Sequence, residues 1–387
     1  MQQTFFCPSD ITFGSGALEK LATCKTEFGT RAFVVLDKIF LGKETERRIV
    51  SLLSDCTVEI YSEVKPNPRD SDIDAGAEKC RAFGADFIVA VGGGSTIDSA
   101  KAINIVANNR GNAWEYTKGT ERSSKEITNP LLPFIAVPTT AGTGSEATRY
   151  SVITNSITHE KAAIKSDLLF PDKSIVDPDL MITMPRMTTA LTGIDAFAHA
   201  FEAFIGTKAT EISEMFSMKA IRLFAENIKR ACDDGNDIAA RTNMAMCSTL
   251  GGLAISHSAT TMPHGIGQAL SGITDAPHGG SIAVCLPNVV RWSLAEAERK
   301  YAEIALIFNP ELKEKPIAEQ AAALPIILET LFEDILGRKL TMADYGLTVK
   351  KVEAVADLAL QNFGSDLSRH PKVPSRDDLI QIINNCL

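Results

Sequence analysis

Asp195 and His199 stand four residues apart, and two further histidines, His264 and His278, follow downstream. In a helix, a spacing of i, i+4 puts two side chains on one face, about 6 Å apart. The run Thr188-Thr189-Ala190-Leu191-Thr192-Gly193-Ile194-Asp195-Ala196-Phe197-Ala198-His199-Ala200-Phe201 reads as that helix. His264 and His278 each open a His-Gly step, in Pro263-His264-Gly265 and Pro277-His278-Gly279. Three neutral imidazoles and one carboxylate suit a first-row transition metal. The set is too rich in nitrogen for Mg²⁺ or Ca²⁺ and lacks the softness of thiolates. The alternative is four core or surface residues with ordinary hydrogen bonds.

A second constellation lies upstream. Ile88-Val89-Ala90-Val91-Gly92-Gly93-Gly94-Ser95-Thr96-Ile97-Asp98-Ser99-Ala100-Lys101 reads as a buried strand, a glycine turn and a helix. Glycines let the backbone approach a ligand, and a helix N-terminus offers free N–H groups and partial positive charge to an anion. The turn is neither a Walker loop nor a G-x-G-x-x-G fingerprint, and a plain tight turn is the alternative. A second polar, glycine-bearing segment, Pro138-Thr139-Thr140-Ala141-Gly142-Thr143-Gly144-Ser145-Glu146, follows another apolar run. Ligands of open α/β sheets bind at the carboxyl ends of strands, so two such segments point to one nucleotide crevice. Asp37, at the end of Val34-Val35-Leu36, is placed to accept from ribose hydroxyls and to repel a 2′-phosphate; a turn or capping aspartate is the alternative.

The elements that must position these residues fall into two halves. Up to about residue 182, short β-branched runs (Ala32–Leu36, Phe87–Val91, Phe134–Val137) alternate with helical stretches such as Asp70–Phe83 and Thr96–Ala107. Continuous apolar runs fit strands buried on both faces, and their alternation with helices predicts a parallel sheet. Beyond Pro185 the strand signals stop. Helical spacing takes over in Met187–Phe204, Glu211–Ala231, Ile238–Ile255, Leu294–Ile307, Ile317–Ile335 and Val349–Phe363. The expectation is an α/β dinucleotide-binding domain over 1–182 and an all-α metal-binding domain over 183–387, with every candidate metal ligand in the second.

Composition narrows the function classes. The 387 residues are 45% hydrophobic and 22% charged, an ordinary globular balance with ample sequence for a core. A net charge of −9 argues against a nucleic-acid partner held by its phosphates. No apolar run reaches membrane-spanning length, and the N-terminus lacks a signal-peptide pattern, so no membrane partner is expected and the cytoplasm is the expected compartment. The eight cysteines are scattered without a C-x-x-C pair and read as buried, reduced thiols.

The chain resembles, nearly over its full length, the iron-containing (group III) alcohol dehydrogenases, the family of lactaldehyde reductase, 1,3-propanediol dehydrogenase and butanol dehydrogenases. The resemblance rests on Gly14-Ser15-Gly16, the turn Gly92–Lys101, the segment Pro138–Glu146, Gly193-Ile194-Asp195-Ala196-Phe197-Ala198-His199-Ala200-Phe201-Glu202, and the pair His264 and Pro277-His278-Gly279. It implies a Rossmann-like domain, a helical domain and a catalytic cleft between them. It implies Asp195, His199, His264 and His278 as ligands of a divalent metal, Fe²⁺ in many members and Zn²⁺ or others in some, with His264 and His278 carrying the catalytic role. It implies NAD(H) as cofactor, with Asp37, Gly93, Gly94, Ser95, Asp98, Thr139, Thr140, Thr143 and Lys161 at cofactor positions, and a homodimer or larger homo-oligomer. One departure stands out: where many relatives carry a further histidine near the nicotinamide, this chain has Gln268, which cannot shuttle a proton.

The expected chemistry is hydride transfer between a nicotinamide and a short-chain primary alcohol or aldehyde whose oxygen a Lewis-acid metal polarises. His257 is a weak candidate for the proton step beside its reading as a structural histidine. By resemblance, Arg149, Tyr150, Ala163, Ile255 and Thr260, with Gln268, are pocket residues. A guanidinium at Arg149 would favour an anionic aldehyde such as sulfoacetaldehyde or a semialdehyde, a second reading behind the neutral substrate. Readings further off are a lyase resembling dehydroquinate synthase, a glycerol dehydrogenase, a maleylacetate reductase and a non-catalytic nucleotide-binding protein.

Overall fold

The computed structural model describes residues 4–119 and 123–387, with the side chains of 24–26 outside the description. The reading of the extreme N-terminus at residues 1–3 and of the Cys24 thiol therefore lies outside the described residues. Eight strands are described: β1 Asp10–Phe13, β2 Arg31–Leu36, β3 Thr57–Tyr61, β4 Phe87–Gly92, β5 Phe134–Pro138, β6 Tyr150–Thr154, β7 Lys161–Lys165 and β8 Lys173–Val176. The helices among them are α1 Leu21–Phe28, α2 Glu44–Leu52, α3 Asp70–Phe83 and α4 Gly94–Asn108. From Arg186 onward the described elements are helical: α5 Arg186–Ile205, α6 Glu211–Asp233, α7 Ile238–Ser258, α8 Met262–Thr274, α9 His278–Trp292, α10 Glu298–Phe308, α11 Ile317–Leu336, α12 Val352–Arg369 and α13 Arg376–Asn384.

Six strands form one parallel sheet in the order β1-β8-β5-β4-β2-β3. The continuous apolar runs divide by alternate residues. Phe33, Val35, Ile88, Ala90 and Ala136 join the core on one face, while Ala32, Val34, Leu36, Val89, Val91 and Ile135 join that on the other. A strand buried on both faces needs apolar residues at both parities, hence runs rather than alternation. The chain goes from β2 outward to the edge strand β3 and returns to β4 on the other side of β2. The winding direction therefore reverses between β2 and β4, and the crevice at their carboxyl ends is where such sheets bind ligands. Asp37 ends β2 there, and the glycine turn ends β4.

The β6–β7 hairpin stands apart from the sheet and packs on α4, α8 and α12. It was not anticipated in the sequence, nor were α8 and α9, which carry His264 and His278. Gly265, Gly267 and Gly272 in α8, and Gly279 and Gly280 in α9, blur the apolar period. The readable signals were Pro263 in the first turn of α8 and Pro277 at the start of α9. α10 starts at Glu298 rather than Leu294, and residues 349–351 form a short 3₁₀ turn before α12. Five free cysteines are buried as expected, but Cys7 and Cys56 are only half-buried. Among the described residues no helix is long and apolar enough to cross a membrane.

Candidate active site

α5 is apolar around most of its circumference and is buried from Gly193 to Ile205, with Phe197 and Phe201 stacked into the helical core. Three polar side chains interrupt it at i, i+4 and i+7: Asp195, His199 and Glu202, all buried. A buried carboxylate is costly unless it is paired or binds a cation. Around Asp195 Oδ1 stand three imidazole nitrogens, the Nε2 of His278 at 3.4 Å, of His264 at 3.5 Å and of His199 at 3.9 Å. The donor atoms of Asp195, His199 and His264 all lie within 4.8 Å of one another. His278 touches the carboxylate but stands outside that tighter trio, and its side chain is 28% exposed. α9 reaches this position because Gly279, beside His278, lies against the Leu191 carbonyl, where a Cβ would collide.

Burial works against the Asp195 charge, yet the facing histidines hold its carboxyl well below the usual range. Burial likewise lowers His199 and His278, leaving neutral imidazoles suited to ligation. His264 differs. Its Nδ1 donates to Glu202 Oε1 at 2.5 Å, and Glu202 Oε2 accepts from the Thr261 amide at 2.5 Å and its hydroxyl at 3.0 Å. Burial lowers His264, but the Glu202 and Asp195 carboxylates more than offset it and hold the imidazole up to about 10. A cation between His264 and Asp195 would take the place of the Nε2 proton. Asp195 Oδ1 and His264 Nε2 are both buried without hydrogen-bond partners. Orphan donors facing each other across 3.5 Å, one already oriented by a carboxylate behind it, are what a divalent-metal site requires.

At the nucleotide end, Gly93 and Gly94 open α4, whose first-turn N–H groups face the crevice. A Cβ at Gly93 would meet Thr140 at 3.2 Å, and one at Gly94 would collide with Thr143, so the turn and the segment after β5 are packed together. Thr139 is buried there with its hydroxyl unpartnered. Asp98 accepts from Ser145 Oγ at 2.6 Å and from the Val152 amide at 2.9 Å, which ties α4 to β6. Buried Lys101 donates to the carbonyls of Ser145, Thr148 and Tyr150 at 2.7–2.9 Å. Asp37 caps a short turn through the Ile39 amide at 3.1 Å, so the capping alternative is realised, yet it also lies beside Gly92 at the crevice.

The sequence matches two family models, "Iron-containing alcohol dehydrogenase" over residues 8–178 and "Fe-containing alcohol dehydrogenase family, C-terminal" over residues 189–387. The chain belongs to the iron-containing alcohol dehydrogenase family. A 1,3-propanediol dehydrogenase of Klebsiella pneumoniae is 35% identical over 92% of both chains. A sulfoacetaldehyde reductase of Bilophila wadsworthia is 31% identical over 96% of both. The crystal structure of a 1,3-propanediol oxidoreductase superposes with a TM-score of 0.93 at 32% identity, covering all of both chains. Enzymes of this family are NAD-dependent and use an iron ion, and the reaction of this chain is NAD-linked alcohol–aldehyde oxidoreduction.

In this iron-containing alcohol dehydrogenase, a cavity of about 390 Å³ runs between the halves. Gly94, Ser95, Asp98, Thr143 and Lys161 line it from the nucleotide side, and His199, His264 and His278 from the helical side. Among the expected pocket residues, Tyr150, Ala163, Ile255, Thr260 and Gln268 all border it. Lys161 donates to Asn67 Oδ1 at 2.5 Å and Ser271 Oγ at 2.8 Å, and burial brings it down to about 7. Arg149 is a correction: it does not line the cavity. Preceding β6 by one residue, it pairs with Asp167 at 2.5 Å and lies over Phe170, away from the face that Tyr150 presents. His257 is structural, stacked on Phe5 at 4.3 Å and bonded to the Leu253 carbonyl at 2.8 Å. Sequence reasoning assigned no role to Glu202, whose signal was a lone acid three residues after His199 in an otherwise apolar helix.

Proposed function

We propose that this enzyme interconverts a short-chain primary alcohol and its aldehyde with NAD(H) at the cluster of Asp195, His199, His264 and His278. The observation that carries the reading is the convergence of three imidazole Nε2 atoms on one buried carboxylate oxygen at the inner wall of the cavity that Ser95 and Lys161 also line. These four residues would hold the divalent metal, and when bound it supplies Lewis-acid polarisation of the substrate oxygen. Glu202 fixes the His264 tautomer through Nδ1, which leaves Nε2 as the ligating nitrogen. The N-terminus of α4 would hold the cofactor pyrophosphate, and Asp37 would favour an unphosphorylated ribose. Gln268 Oε1 is buried and unpartnered at the cavity, so it accepts a hydrogen bond from a bound molecule but takes no proton. The alcohol proton is therefore carried by a group other than Gln268.

The cavity between the halves supports a small-molecule partner. The resemblance supports a homo-oligomer, and the free thiols a cytoplasmic setting. The test is His264→Ala with metal content and NADH oxidation measured together under anaerobic conditions. Both are expected to fall to background. Full turnover in a metal-free His264→Ala variant would remove the mechanism.

A further inference from the structure

The charged residues lining the cavity are unequal in sign: Lys118, Lys161, Lys165 and Arg369 against Asp98 and Asp366. Two of these are committed inside the protein, Lys161 to Asn67 and Ser271, and Asp98 to Ser145 and Val152. What remains is a trio of cations with one carboxylate, drawn from three segments that meet at one wall. Lys118 bridges to Ala163 of β7, two residues from Lys165, and Arg369 ends α12. α12 loses helical geometry at Phe363 (φ −122°, ψ 19°), and after that break Ser365, Asp366 and Arg369 line the cavity.

Among the described residues neither Lys118 nor Lys165 is in an ion pair, and the carboxylate nearest Arg369 is Asp366, at a loose 3.5 Å. Asp366 is itself engaged by the Thr260 hydroxyl at 2.7 Å. Lys165, at the exposed end of β7, lies 5.6 Å over the Tyr150 ring and faces the same cavity as Lys118 and Arg369. Three cations against one engaged carboxylate, in a protein of net charge −9, make a local positive field that an arriving anion would meet.

Resting on the reading above, we propose that Arg369, with Lys165 and Lys118, receives an acidic group at the end of the substrate remote from its carbonyl. The preferred substrate is then a short aldehyde bearing a carboxylate or another oxyanion, or the matching alcohol. The planar guanidinium of Arg369 supplies bidentate recognition, and the two lysines supply field. The trio does not lie on the α4 turn, which leaves that helix N-terminus to the cofactor phosphates.

The experiment compares butanal with 4-oxobutanoate, equal in carbon number, using the metal-loaded enzyme with NADH and with NADPH. The acid is expected to have the higher kcat/KM, by about tenfold or more at low salt, with the advantage shrinking as ionic strength rises. Arg369→Gln and Lys165→Gln are each expected to lower the acid-to-neutral ratio through KM for the acid, while Lys350→Gln on the outer surface leaves the ratio in place. Equal use of the two aldehydes, or a ratio that neither variant moves, overturns the proposal. So does a rise in cofactor KM in these variants with the ratio intact, which would assign the trio to the cofactor. Absence of turnover with both aldehydes would remove the parent reading as well.

Discussion

At the scale of single residues, the chemistry is set by which carboxylates are buried and what faces them. Glu202 is fully buried behind His264 and does not line the cavity, yet its two oxygens satisfy the His264 Nδ1 and both donors of Thr261. Glu202→Gln keeps the shape but weakens the charge that orients the imidazole. Metal affinity is expected to fall about 10- to 100-fold, read as metal retained after dialysis against a weak chelator. Asp366 shows the opposite balance. Burial raises its carboxyl from 3.8 to about 6, against the lowering by Thr260 and Arg369. The folded state then holds the proton more tightly than the unfolded chain, so this group stabilises most below about pH 4 and that contribution is lost as pH rises through 6. Asp366→Asn removes the decline. Relative to the parent, the variant is expected to gain on the order of 1–2 kcal/mol between pH 4.5 and 7.5 by denaturant titration. A constant difference across that range would refute it.

At the scale of elements, the decisive contact is between the segment after β5 and α7. Gly144 (φ +61°) occupies the left-handed region, and a Cβ there would sit 2.5 Å from the Ser248 carbonyl. A Cβ on Gly252 would in turn collide with the Gly144 carbonyl. Backbone meets backbone here, with no flexible side chain to yield. Beside it Glu146 accepts from Thr249 at 2.8 Å, and Gly144 donates to Ser248 Oγ at 3.1 Å. Gly252→Ala is therefore expected to cost about 1–3 kcal/mol or more and to raise the KM for cofactor, because Thr143 moves with the segment. A variant with wild-type Tm and KM would show that the seam yields freely.

For the whole molecule, the two halves are expected to unfold as one cooperative unit although their secondary structure differs. The seam through Gly144 and Gly252, the Lys161–Ser271 bond and the Arg69–Asp275 pair at 3.0 Å all cross between them. A ligand seated on the α/β half should then stabilise the helical half too. NADH at about 100 times its Kd is expected to add about 2.7 kcal/mol and to shift one calorimetric transition without splitting it. Two transitions, of which only one responds to NADH, would show that the halves unfold independently.

Much of this was legible in the order of residues. The runs Ala32–Leu36, Phe87–Val91 and Phe134–Val137 are apolar at both parities, and that alone implies central parallel strands. The i, i+4 pair on α5 likewise needed no more than helical periodicity. What the tertiary structure decided is what lies far apart in sequence and meets in space. It brought His264 and His278, on glycine-rich helices whose period was hidden, to the same carboxylate oxygen as His199. It turned Arg149 to Asp167, and with the break in α12 at Phe363 it lined the cavity with Arg369 instead. Local pattern records which face of an element is buried. Which cation reaches a cavity depends on strand parity and helix breaks, and those are fixed only when the elements pack.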